Sequence, residues 1–279
     1  MHDIKTPAPA FVTIPWQGET VRIEYRWVGQ TASTRPPVVF LHEGLGSISL
    51  WKDFPEKFCS ANGLRGLVFS RPGYGRSTPR PADRRWPTTF MHDQAHDMLP
   101  ALLAALGIGK SDNPDKPDNP DKLWLFGHSD GASIALLYAA RYPQDVAGII
   151  VVAPHIFVED VSIENIALAR QAYLTTDLRN KLARHHADPD SAFWGWNDVW
   201  LDPAFRQWNI EDVLGSITCP VLAVQGEQDE YGTLEQIYGI ARHATQTSLY
   251  IIPHCGHSPH RDQPEALATE AARFLLDHS

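Results

Sequence analysis

Seven short apolar runs, separated by stretches of helical periodicity, constrain this chain more than any other feature. They read "TVRIEYRWV" (20–28), "PVVFLH" (37–42), "GLVFS" (66–70), "KLWLFG" (122–127), "GIIVVA" (148–153), "PVLAVQG" (220–226) and "SLYIIP" (248–253). The central runs stay apolar at successive positions, as a strand covered on both faces requires. Between the runs, "HDQAHDMLPALLAAL", "SIALLYAARY" and "PEALATEAARFLLDH" repeat apolar residues three and four apart, the spacing of an amphipathic helix. Such alternation specifies a mostly parallel sheet with crossover helices on its faces. The first run alternates apolar and polar residues instead, so it is expected at an antiparallel edge.

Two segments break the rhythm. In "DNPDKPDNPDK", residues 112–122, proline recurs at every third position, which favours extended, solvated backbone. The segment lacks the Gly turn and terminal Glu of a calcium loop. The second segment is residues 154–216. A crossover needs about a dozen residues, so this stretch reads as an inserted helical cap on a core of residues 1–153 and 217–279. Trp194, Trp196, Trp200 and Trp208 crowd its second half. A small cap needs large aromatics for its own core. Trp194, Trp196 and Trp200 are also candidates to line a substrate pocket, because ligand sites tend to be apolar and to lie between domains.

The composition excludes several classes of function. A net charge of −9, with no block of Lys or Arg, argues against nucleic acid or anionic membrane as the main partner. The opening "MHDIKTPAPAFVTIPW" has no long apolar run behind a basic start, so no signal peptide is expected. No apolar stretch reaches membrane-spanning length. Cys59, Cys219 and Cys255 are scattered and odd in number, which fits reduced thiols in a cytoplasmic protein better than a disulfide framework or metal site. The expected partner is a small-molecule substrate, and a homodimer is compatible with the chain.

The chemistry concentrates in "LWLFGHSDGASIALLYAARYP". Here Gly127-His128-Ser129-Asp130-Gly131 forms G-x-S-x-G directly after a strand and directly before a helix. Flanking glycines permit a sharp turn that lifts the serine hydroxyl above the sheet at a helix N-terminus. Free N–H groups and the helix dipole there favour developing negative charge. A serine also needs a base, and the base needs a third group to orient it. "VLAVQGEQDEYG" offers Glu227, Asp229 and Glu230 after one late strand. "LYIIPHCGHSPHRDQPEAL" offers His254, His257 and His260 after the next.

Together with "SRPGYGRS" after the strand at 66–70, these motifs make the chain resemble the α/β-hydrolase superfamily over nearly its whole length. That resemblance implies an α/β fold with a mostly parallel eight-stranded sheet, helices on both faces and a variable cap. It matches Ser129 to the nucleophile, Asp229 to the acid of the triad and His257 to the base. Glu227, Glu230, His254 and His260 are weaker matches. The serine separates the chain from branches that use an aspartate nucleophile. No metal or organic cofactor is implied.

The oxyanion hole of such enzymes uses two N–H donors. One would be Asp130, the residue after the nucleophile. The other comes from the turn after the strand at 37–42, where "HEGLGS" aligns Gly44 with the donor and puts Glu43 in place of a glycine. Leu45 becomes the donor if the turn is rebuilt. At Glu43 a positive φ would cost about 1–2 kcal/mol. Its carboxylate has three readings: solvent or a pairing with Arg71 or Arg76, a pocket-facing group that selects substrate charge, or a proton-transfer group. The Asp130 side chain is expected to point to solvent or to the helix N-terminus. The function implied is a serine hydrolase acting on a small-to-medium carboxylic ester or lactone. The rivals are a carbon–carbon hydrolase of ring-fission diketones and a ligand receptor with little turnover.

Overall fold

The computed structural model describes residues 8–109 and 122–278. Apart from Lys122, the proline-rich repeat lies outside them. The eight strands are β1 (Ala10–Trp16), β2 (Glu19–Gly29), β3 (Val38–Leu41), β4 (Arg65–Phe69), β5 (Leu123–His128), β6 (Val146–Val152), β7 (Val221–Gly226) and β8 (Thr247–Ile252). They form one sheet in the order β1-β2-β4-β3-β5-β6-β7-β8. From β4 to β8 every pairing is parallel, while β2 runs antiparallel to both β1 and β4.

The expectation that 20–28 forms the edge needs correction. Strand β1 folds back onto β2 through Gln17 and Gly18, both at positive φ, and takes the edge position itself. Its sequence "AFVTIPW" buries only Ile14 and Trp16. So thin an apolar pattern, with a proline inside it, carries little strand signal.

Successive side chains of a strand point to opposite faces, and the core follows that rule. Val39, Leu41, Leu67, Phe69 and Leu125 pack into one layer, whereas Val38, Phe40, Val68, Trp124 and Phe126 pack into the other. Helix α1 (Phe54–Ala61) covers the second face together with the C-terminal helix Pro264–Asp277. The first face carries α2 (Phe90–Asp93), α3 (Leu99–Ala105) and α4 (Asp130–Arg141). Between α2 and α3 the chain makes a π turn, Gln94–Met98. Pro100 has no N–H to offer the His96 carbonyl, and the Tyr142 hydroxyl donates to that carbonyl instead, at 3.0 Å.

Residues between β6 and β7 fold as α5 (Asp160–Thr175), α6 (Leu178–Leu182), α7 (Pro189–Trp200), a 3₁₀ turn (Pro203–Gln207) and α8 (Glu211–Leu214). Helix α7 starts cleanly: Asp188 accepts the Ser191 N–H at 2.9 Å and Pro189 occupies the first turn. The chain ends with α9 (Glu235–His243), α10 (Pro259–Asp262) and α11 (Pro264–Asp277). Among the described residues no helix is long and apolar enough to cross a membrane. Cys59, Cys219 and Cys255 are all buried and free.

Candidate active site

Four loops converge at the carboxyl ends of the parallel strands, where open α/β sheets bind ligands. Glu43 follows β3, Ser129 follows β5, Asp229 follows β7 and His257 follows β8. Ser129 adopts φ 53°, the strained conformation expected of a sharp strand-to-helix turn. Both flanking glycines are required by space. A Cβ on Gly127 would run into the Gly131 carbonyl and Ala132, and one on Gly131 would strike the carbonyls of Leu41 and His42.

The structure brings Ser129, His257 and Asp229 into one line. Ser129 Oγ lies 2.9 Å from His257 Nε2, and His257 Nδ1 lies 2.8 Å from Asp229 Oδ1. Asp229 is fixed in turn by the Tyr231 N–H at 2.8 Å and the Gln225 amide at 3.2 Å. Burial works against a charged His257, but the Asp229 charge and hydrogen bond outweigh it and raise the pKa above the usual histidine value. The other carboxylates and imidazoles of these loops play different parts. Glu230 accepts the His257 backbone N–H at 3.1 Å, and Glu227 accepts that of His254 at 3.4 Å, so neither reaches the imidazole. His254 is exposed. His260, a weaker match from the sequence, is buried with its ring against His128 and Trp51.

Glu43 has no backbone strain to explain, because its φ is not positive. Its side chain is 16% exposed and borders the same cavity as Ser129. The carboxylate pairs neither with solvent alone nor with Arg71 or Arg76. It faces His128, with Oε2 3.5 Å from Nδ1. Arg71 does reach this residue, but at its backbone carbonyl, 2.8 Å away. His128 Nε2 lies 2.7 Å from the His257 carbonyl, which can only accept, so that nitrogen carries a hydrogen. An unprotonated Nδ1 would then set a lone pair against a carboxylate. Burial pushes the Glu43 carboxyl up, yet the His128 contact overrides it and holds the group below the usual carboxylate range.

Asp130 corrects a second expectation, for its side chain is buried and points inward. Its Oδ1 accepts from Trp200 Nε1 at 3.1 Å, and its Oδ2 lies 3.6 Å from Arg71. The turn after β3 closes with a Gly46 N–H bond to the Glu43 carbonyl at 3.0 Å. This leaves the N–H groups of Gly44 and Leu45 without an acceptor among the described residues. Both residues border the cavity beside Ser129. Gly44 has no room for a side chain, since a Cβ there would sit inside the Trp196 ring.

The cavity has a volume of about 340 Å³, and Trp196 and Trp200 supply its wall from α7. Four residues apart, these two share a helix face. Trp194 does not join them, contrary to the sequence-based expectation. Two positions before Trp196 it lies on the opposite side of the helix, where it packs on Tyr173 and Phe193 with Arg170 over its ring. His155 was not singled out from sequence, because no motif surrounds it. It packs against Trp200 and His257 beside the cavity, and burial depresses its pKa to about 3.

A family model described as the alpha/beta hydrolase family matches residues 38–271, and the chain belongs to that family. The human serine hydrolase BPHL is 25% identical over 202 residues; the match covers 67% of this chain and only 61% of that protein's length. The bifunctional esterase/perhydrolase DCH of Acinetobacter calcoaceticus is 27% identical over 227 residues, covering 70% of this chain and 75% of that one. A solved esterase from Thermogutta terrifontis superimposes with a TM-score of 0.70 at 21% identity, over 98% of this chain and 100% of its own. At that identity the likeness speaks for the shared fold.

Proposed function

We propose that this hydrolase cleaves small-to-medium carboxylic esters or lactones through an acyl-enzyme on Ser129. The observation that carries the reading is the line of short contacts from Ser129 Oγ to His257 to Asp229, at 2.9 and 2.8 Å. His257 takes the serine proton as Oγ attacks the carbonyl carbon, and Asp229 stabilises the imidazolium that forms. The oxyanion sits between the Gly44 N–H and the Asp130 N–H. The latter opens α4 and so has no intrahelical acceptor. The C–O bond to the leaving group then breaks and His257 returns the proton to that oxygen. Water, deprotonated by His257, attacks the acyl-enzyme and releases the carboxylic acid, restoring Ser129.

Residues 154–216 act as the cap, with Trp196 and Trp200 contacting the apolar part of the substrate. Glu43, at the cavity edge, disfavours substrates with a negative charge beside it. The two relatives named as a serine hydrolase and an esterase support this chemistry, and the free, buried thiols support a reducing, cytoplasmic setting.

The test is a panel of p-nitrophenyl esters from acetate to octanoate, with lactones and a vinylogous ring-fission diketone alongside. Multiple turnover is expected on the short and middle esters, declining with the longer chains. A strong preference for the diketone would move the reading to carbon–carbon cleavage. Binding without turnover on any member would move it to a receptor.

A further inference from the structure

Arg71 is a fully buried cation that the reaction scheme above does not use. We infer that it is a positioning residue for the oxyanion hole, holding the two proposed N–H donors in register and strengthening one of them. The inference rests on the serine-hydrolase reading.

The key atom is the Glu43 carbonyl oxygen. It belongs to the peptide whose N–H is that of Gly44, the proposed donor. This oxygen accepts three hydrogen bonds: from Arg71 Nη2 at 2.8 Å, from His42 Nδ1 at 2.7 Å and from the Gly46 N–H at 3.0 Å. Donors at a peptide oxygen draw electron density through the amide and leave its N–H a stronger donor, an effect of about 10–30% per bond. A guanidinium does this more strongly than a neutral group. The same bonds fix the plane of the peptide, and with it the direction of the Gly44 N–H.

Arg71 also reaches the other donor. Its guanidinium lies 3.6 Å from the side chain of Asp130, whose backbone N–H is the second proposed donor. Gln94 Oε1 accepts from Nη1 at 3.0 Å, and the guanidinium lies 4.8 Å from the centre of the Tyr74 ring. His42 is locked to the same unit, since its Nε2 accepts the Arg71 backbone N–H at 2.9 Å. One buried side chain thus ties the β3 turn to the nucleophile turn. This accounts for the acid at 130, one residue from the nucleophile: it is the counterion of Arg71.

The experiment compares an ester with its thionoester, in which sulfur replaces the carbonyl oxygen, on wild type, Arg71→Lys and Arg71→Met. A sulfur anion profits less from the hole, so the oxo/thiono ratio of kcat/KM reports donor strength. Removing a donor outright costs about 10²–10³ in kcat. Arg71→Met, which leaves the donor in place but weakens and loosens it, should lower kcat about 10- to 100-fold with little change in KM, and shrink the oxo/thiono ratio about tenfold. Arg71→Lys should recover part of both. Equal losses on the two substrates, with the ratio unchanged, would show that Arg71 merely supports the fold and overturn the inference. If the Arg71 variants do not fold, His42→Leu removes a second donor to the same carbonyl and is read by the same ratio. Ser129→Ala run in parallel separates the two levels. If it stays active the serine reading itself fails, whereas a dead Ser129→Ala with unchanged ratios in the other variants sinks only the role of Arg71.

Discussion

Replacing Ser129 with alanine should reduce kcat by about 10⁵- to 10⁶-fold while leaving the unfolding temperature nearly unchanged. The stability half of this expectation follows from the geometry. Among the described residues Ser129 Oγ makes one hydrogen bond, to His257, and the positive φ belongs to the backbone whichever side chain is present. The activity half follows from the relay. Without the hydroxyl there is nothing for His257 to deprotonate, and the residual rate is that of water in a cavity with an oxyanion hole. His257→Ala should cost as much, and the double variant no more than either alone, because the groups act as one device. Asp229→Asn should cost about 10⁴, since an amide can hold the imidazole in the wrong tautomer. Steady-state kinetics and thermal melts on the four variants check this. Additive losses would mean that the three residues do not form a unit.

The second large effect concerns acid. Four histidines are buried and held neutral in the folded protein. Burial depresses His155 and His260 to about 3, His186 to about 4 and His42 well below the ordinary value. For two of them the hydrogen bonds require the neutral ring. His186 Nδ1 accepts the Gly75 N–H at 2.9 Å while Nε2 donates to the Leu45 carbonyl at 3.0 Å. His42 accepts from Arg71 and donates to Glu43 in the same manner. Folded pKa values below the unfolded one mean that the unfolded chain takes up protons the native state refuses. The stability is therefore whole above about pH 6.5 and lost as pH falls toward the folded values.

Each imidazole contributes slightly over 1 kcal/mol per pH unit, so the four together remove on the order of 4 kcal/mol between pH 6 and pH 5. That is a large share of the roughly 5–15 kcal/mol of a typical domain. His257 has the opposite sign, but its window lies above the unfolded pKa and does not offset the loss. Urea unfolding at pH 7, 6 and 5 should show the midpoint dropping steeply over the last step. A flat profile would mean that these rings are protonated in the native state.

The legibility of the fold from sequence had a physical limit at each end of the sheet. Strands β3 to β7 are covered on both faces, so their apolar runs were unmistakable, and β8 was legible from its own run "SLYIIP". Strand β1 buries two residues on one face and was missed. In the site, Ser129, Asp229 and His257 were legible because each sits at a strand end inside a motif, and the structure sets them within hydrogen-bonding distance. The partner of Glu43 was not legible. His128 lies 85 residues away within the nucleophile turn itself, and which of its faces turns toward Glu43 depends on a hydrogen bond to the His257 carbonyl. The three-residue identity of the Asp130, Arg71 and Trp200 cluster was hidden for the same reason: its members come from three separate elements. Trp194 was the avoidable miss, since its offset of two from Trp196 already sets it on the other side of α7.

The proposed reaction passes through a covalent acyl group on Ser129. The most direct measurement is rapid acid quench of the enzyme with a good ester substrate, followed by peptide mass analysis of the region around Ser129. The expected result is a mass gain equal to the acyl group on the peptide carrying Ser129, appearing before steady state and absent in Ser129→Ala. Robust wild-type turnover with no adduct at any quench time, or an adduct on another residue, would contradict it.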